Sequence, residues 1–184
     1  MFAHSADSVA EEKWEPLSDH LALVGEMAGR FADRFDASGL GVAAGRLHDI
    51  GKTSAAFQAY IRHNGGLRGP DHSTAGAREA MQLYGPGLGR ILAFCIAGHH
   101  AGLADGGSKH VPGTLSNRLV ASQIEDYSGW ERHAGVLPEF KSISLPALSP
   151  SQSRADGRAI SRVHSAYFQA HARIFCTNFC LPGL

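Results

Sequence analysis

The chain has 184 residues, 43% of them hydrophobic, which suits a single domain over residues 1–184 with a real core rather than two. Its 17 basic and 17 acidic residues cancel, so no global electrostatic pull toward nucleic acid or an anionic membrane operates, and any polyanion contact is local. Three cysteines, no charged-then-apolar leader and no apolar run of membrane-spanning length make a soluble cytoplasmic protein the expectation, with no membrane partner.

In chain order, Leu17, Leu21, Val24, Ala28, Phe31 and Phe35 recur at three and four residues, the period of an amphipathic helix, and His20 falls on the same inward stripe. A shorter helix from about Leu40 turns Ala43, Ala44 and Leu47 inward, and His48 continues that face just before Gly51 offers a stop. Thr53 or Ser54 caps a third helix carrying Phe57, Tyr60 and Ile61, followed by an exposed, mobile loop through Asn64-Gly65-Gly66 to Pro70. His72 opens a fourth helix with Gly76, Ala80 and Leu83 on its own face, closed by Gly85-Pro86-Gly87. The fifth shows the clearest period: Leu88, Ile91, Leu92, Cys95 and Ile96, with His99 and His100 extending the buried stripe. Residues 101–113 are rich in glycine and read as an active-site loop, before a sixth helix with Leu115, Leu119, Val120 and Ile124. Residues 128–152, with Pro138, Pro146 and Pro150, hold no sustained period and read as a surface excursion or a docking segment. A last helix turns Ile160, Val163, Tyr167, Ile174 and Phe175 inward. Without a useful strand alternation or an internal repeat, the fold class is all-α.

Eleven histidines are the compositional oddity, because an unpaired imidazole on an apolar face is costly. His20, His48, Asp49, His72, His99 and His100 lie on inward stripes at helix ends, and neutral imidazoles with a carboxylate are standard ligands for first-row divalent metals. Successive helical residues are rotated by about 100°, so His48 and Asp49 are not expected to clasp one ion as an i, i+4 pair would. They are expected to serve two ions, the carboxylate bridging. At a helix end the last turn can loosen, which brings His99 and His100 to one centre. A lone inward histidine is ordinarily a hydrogen-bonded core residue, and His164 and His171 read that way. Cys176 and Cys180 stand one turn apart with no second pair and read as buried thiols. His4, His63, His110 and His133 fall in polar or loop contexts and carry no signal. Asp71 reads as a helix cap or an outer partner of His72.

His20-Leu21, then His48-Asp49-x-Gly51-Lys52 with Phe57-Gln58-x-Tyr60, then His72-Ser73-x-x-Gly76-Ala77, then Gly98-His99-His100-x-Gly102-Leu103-x-Asp105 occur in an order that resembles the HD nuclease of CRISPR type I interference. That domain is found fused to, or separate from, a superfamily 2 helicase. The likeness runs over nearly the whole chain, and the Gly-His-His-x-Gly-Leu element with its upstream partners narrows it within an HD superfamily that also holds nucleotide phosphohydrolases. It implies an HD-domain helical bundle with a metal site at its centre. His20, His48 and Asp49 would hold one ion, Asp49, His72, His99 and His100 a second, with Asp49 bridging. Asp49 and Lys52 would be the catalytic residues, Lys52 facing the scissile phosphate or steadying the leaving oxygen. The family's late helix adds an aspartate to the first ion; here Arg173-Ile174-Phe175-Cys176-Thr177 resembles its start, and residues 178–184 hold no aspartate. A C-terminus truncated or altered, or Asp126, Asp156 or a water standing in, are the alternatives.

The activity implied is metal-dependent hydrolysis of single-stranded DNA, endonucleolytic or exonucleolytic, by a chain that acts with a helicase and the CRISPR surveillance complex. One or two ions of manganese, iron, cobalt or nickel, rather than magnesium, fit the histidine-rich shell. Such ions lower a water's pKa toward about 7 and clamp the attacking and leaving oxygens. Arg62, Arg68, Lys109 and Arg118 either track the strand's backbone or are scattered solubilising charge. Two other readings stand beside this one: an HD phosphohydrolase of small or cyclic nucleotides with a closed pocket, and a non-catalytic HD module that only docks a helicase or surveillance complex.

Overall fold

The apolar periods become helices that meet at their ends. The computed structural model describes residues 1–6, 10–63, 69–100, 102–120 and 123–140. Helix α1 spans Leu17–Ala32, α2 Ser38–Leu47, α3 Ala55–Arg62, α4 Ser73–Tyr84, α5 Arg90–Gly98, α6 Leu115–Val120 and α7 Glu131–Ala134. The described residues are thus mostly helical. They add one short antiparallel pair, β1 (Phe2–His4) on β2 (Glu15–Pro16), which the sequence does not announce because two or three residues cannot display a period of two. The Gln58 amide completes β1 by accepting from the Phe2 N–H at 3.0 Å and donating to the Phe2 carbonyl at 2.8 Å.

The chain divides into two compact units, Met1–Pro138 and Glu139–Leu184. All of these helices lie in the first unit. Arg68 and most of the loop after α3, Asp156, His164, His171, Cys176, Cys180 and the last expected helix lie outside the described residues. Among the described residues no helix is long and apolar enough to cross a membrane.

Helix α1 lies along α2, and its buried stripe is Leu17, Leu21, Val24, Gly25, Ala28, Gly29 and Ala32. Phe31, expected inward, is 45% exposed. The stripe turns away from it because the two backbones touch: a Cβ on Gly45 would stand 2.6 Å from the Gly25 Cα, so the face is set by missing side chains that an apolar count does not register. Leu83 is likewise exposed in α4, whose buried residues include the small Ala75, Ala77 and Ala80. A Cβ on Gly76 would collide with the Leu47 carbonyl, so only glycine lets the start of α4 meet the end of α2.

Ser54 caps α3, its hydroxyl accepting from the Phe57 N–H at 3.3 Å. Thr53 instead donates to the Ile50 carbonyl at 2.8 Å. The expected break after α4 is a π-type turn over Gly85–Gly89 that runs into α5. Within α6 only Leu115 is buried, and Val120 is exposed. The irregular stretch contains α7, which sits on α1 with Trp130 and Ala134 buried, while Arg46 donates to the Ala134 carbonyl at 2.7 Å. Leu17, Leu21, Leu47, Ile50, Leu92, Ile96 and Leu115 are fully buried, each worth about 1.5–3 kcal/mol over exposure.

Candidate metal centre

Two helices end in the same way. His48 follows α2 and its Nδ1 lies 2.7 Å from the Gly45 carbonyl; His99 follows α5 and its Nδ1 lies 2.7 Å from the Ile96 carbonyl. A helix leaves its last carbonyls short of intrahelical partners, and each ring adds a bond to one of them, the Ile96 carbonyl also accepting from the His99 N–H at 3.5 Å. His72, just before α4, places Nδ1 3.2 Å from the Pro70 carbonyl. A carbonyl only accepts, so Nδ1 carries the proton in all three and Nε2 of the neutral ring is left with a lone pair. His20, in the first turn of α1, has its Nδ1 3.2 Å from the Glu15 carboxylate, another acceptor.

All four Nε2 atoms face Asp49, which divides them. Its Oδ2 lies 3.3 Å from His20 Nε2 and 3.2 Å from His48 Nε2; its Oδ1 lies 3.4 Å from His72 Nε2 and 3.2 Å from His99 Nε2. His100 Nε2 joins the second side, 3.0 Å from His72 Nε2. The ligand atoms of Asp49, His72, His99 and His100 lie within 4.8 Å of one another, as do those of His20, His48 and Asp49. His48 and Asp49 do reach one point, against the expectation from helical rotation. His48 keeps helical torsions, but Asp49 leaves the helix at φ −117° and ψ 15°, which swings both side chains to one point. The expectation that both terminal histidines extend a buried stripe is also amended: His99 is half-buried and His100 exposed.

Acceptors therefore meet acceptors. His20 Nε2 and His48 Nε2 are 3.2 Å apart, and two atoms at the centre, Asp49 Oδ1 and His99 Nε2, are buried without a hydrogen-bond partner. Unsatisfied buried acceptors of this kind ask for a cation. The donor set of imidazole nitrogens and one carboxylate fits a divalent transition metal. Burial holds the His48 and His72 pKa below the ordinary value, which keeps the rings neutral and able to ligate. Loss of water, then the neighbouring His99 and His72, push His100 down to about 4. Burial pushes the Asp49 carboxyl up, but the Lys52 ammonium against it holds it well below the usual carboxylate range.

The remaining expected residues fall into place differently. Lys52 is 2% exposed, with Nζ 2.7 Å from Asp49 Oδ2 and 3.1 Å from the Ala3 carbonyl it donates to. Its ammonium lies against the carboxylate rather than toward solvent. Arg62 donates to Glu11 at 3.0 and 2.7 Å, Arg118 is turned into the protein, and Lys109 is exposed. Asp126 is exposed, accepts from the Ser128 N–H at 2.9 Å and belongs to none of the ligand clusters around Asp49. Asp71 caps α4, accepting from the Ser73 and Thr74 N–H groups at 3.1 Å each. Glu15 and His4 were not legible as site residues. Glu15 orients His20, and the His4 ring packs edge-on against the His20 ring at 4.9 Å. A carboxylate just ahead of a helix reads as an ordinary dipole partner, so only the strand pairing reveals it.

Compared with protein-family models and with curated proteins, the chain matches none of them.

Proposed function

We propose that the chain is a metal-dependent HD hydrolase that cuts phosphodiester bonds in single-stranded DNA, in the manner of the HD nuclease of CRISPR type I interference. A superfamily 2 helicase would deliver the strand, with the surveillance complex as the further partner. The observation that carries the metal-dependent part is the meeting of four imidazole Nε2 atoms with both oxygens of one buried carboxylate. The order of the histidine motifs supports the nuclease part.

His20, His48 and Asp49 Oδ2 would hold an ion on one side, and His72, His99, His100 and Asp49 Oδ1 on the other. Manganese, iron, cobalt or nickel suits this shell better than magnesium. When bound, such ions supply Lewis acidity toward a phosphate and a nucleophilic water near neutral pH. The chain's own residues do the rest. Lys52, 2.7 Å from Oδ2, keeps Asp49 ionised and fixed in place. The carbonyls behind His48, His72 and His99 fix which nitrogen faces inward. His100, the exposed member, stands where solvent and an incoming strand reach the centre.

The test is incubation with circular single-stranded DNA and manganese, with Asp49→Ala alongside. Cleavage by the wild type and none by Asp49→Ala is expected. Uncut circles in both would remove the autonomous nuclease; phosphate released from free nucleotides with the DNA left intact would favour a small-nucleotide phosphohydrolase. Absence of metal after dialysis would favour a docking module.

A further inference from the structure

Arg118 sits on α6, away from the histidines in sequence, and its side chain is 21% exposed. Its guanidinium spans two other helices. Nε donates to Thr74 Oγ1 at 3.0 Å, Nη1 to the Ala97 carbonyl at 2.7 Å, and Nη2 to Ser73 Oγ at 2.7 Å and Thr74 Oγ1 at 2.8 Å. The Asp71 carboxylate lies 3.3 Å from Nη2 and accepts in turn from Thr74 Oγ1 at 2.5 Å. One side chain thus holds the first turn of α4 and the last turn of α5. Those two turns deliver His72 on one hand and His99 with His100 on the other.

We infer that Arg118 is the positioning residue of the Oδ1 half of the centre: by joining Asp71, Ser73 and Thr74 to the Ala97 carbonyl it fixes His72 relative to His99 and His100. This rests on the reading of those histidines and Asp49 as metal ligands. A planar guanidinium directs several donors in a fixed fork and can bond both helices at once; an ammonium is a point charge that cannot reproduce the fork. The Oδ2 half is organised by other groups, Glu15 behind His20 and Lys52 on the carboxylate. Damage to the fork should therefore fall on one half only. Outer groups that orient ligands typically change metal affinity by about 10–100-fold.

The test is a cobalt(II) titration of the full chain followed by visible absorbance, for wild type, Arg118→Lys, Thr74→Val, His20→Ala and His20→Ala with Arg118→Lys. His20→Ala leaves the Oδ1 half as the principal site. Arg118→Lys is expected to weaken binding there about 10–100-fold and to change the cobalt spectrum, while circular dichroism shows the metal-free variant folded. Thr74→Val, which removes one acceptor of the fork, should move affinity the same way by less. Unchanged affinity and spectrum in a folded Arg118→Lys overturn the inference, as does a loss in both variants that merely follows the fraction unfolded. A wild type that takes up no cobalt sinks the metal-centre reading, and the inference falls with it.

Discussion

The two oxygens of Asp49 face differently built surroundings. On the Oδ2 side, His20 and His48 share the oxygen with the buried Lys52 ammonium, and the β1–β2 pair supplies Glu15 and the Ala3 carbonyl around them. On the Oδ1 side, His72, His99 and His100 gather, and Oδ1 and His99 Nε2 have no hydrogen-bond partner. One side carries its own positive charge; the other is held open by an outer brace. The contrast teaches that one carboxylate can join two sites with different needs, one that already holds a buried ammonium and one whose acceptors lack a partner.

Three experiments probe that contrast. The largest effect belongs to Asp49→Ala, which removes the group common to both sides and leaves the Lys52 ammonium buried without its partner. Both side chains of that pair are 3% exposed, so a loss of about 3–5 kcal/mol in metal-free stability is expected from chemical unfolding. A variant as stable as the wild type would show that the pair is not a buried ionic contact.

Lys52→Met acts on the Oδ2 side alone. It should cost less, about 1–3 kcal/mol, because without the ammonium burial favours the neutral Asp49 carboxyl, whose proton can be donated to the Nε2 lone pair of His20 or His48, 3.3 and 3.2 Å from the same oxygen. Added manganese should raise the melting temperature of this variant more than that of the wild type, since the ion replaces the missing charge. An equal shift in both proteins would break the asymmetry.

The gentlest probe is pH. Burial holds His48 and His72 below their ordinary 6.5, and His100 is pushed down to about 4. As pH falls below about 6.5 the unfolded chain binds protons that the folded rings refuse, so metal-free stability is whole above that value and declines toward about pH 4. Urea midpoints at pH 7.5 and 5 measure it, and a flat profile would mean that the rings are as freely protonated folded as unfolded.

Much of the centre was legible because helix periodicity carries positional information: the stripe Leu92, Ile96 leads to His99, and Ala43, Ala44, Leu47 leads to His48. The hidden part depends on interactions between segments far apart in sequence. Phe31 and Leu83 keep an apolar period yet face solvent, because glycines and alanines beside them define the buried faces. Lys52 reads as a solvated or phosphate-facing lysine until the Ala3 carbonyl, 49 residues away, is brought to it. Arg118 reads as surface charge until α4 and α5 close around it. The geometry of His48 and Asp49 depends on one change of backbone torsion at a helix end, which a periodicity argument assumes away.

The rings of His48, His72 and His99 are each held by a carbonyl two or three residues behind them. Which nitrogen each presents is therefore written into residues 45–48, 70–72 and 96–99, three short words of chain that need no knowledge of one another. Substitutions elsewhere can loosen the assembly of these words without altering what any of them says. Tautomer identity is a local inheritance here, and affinity a collective one.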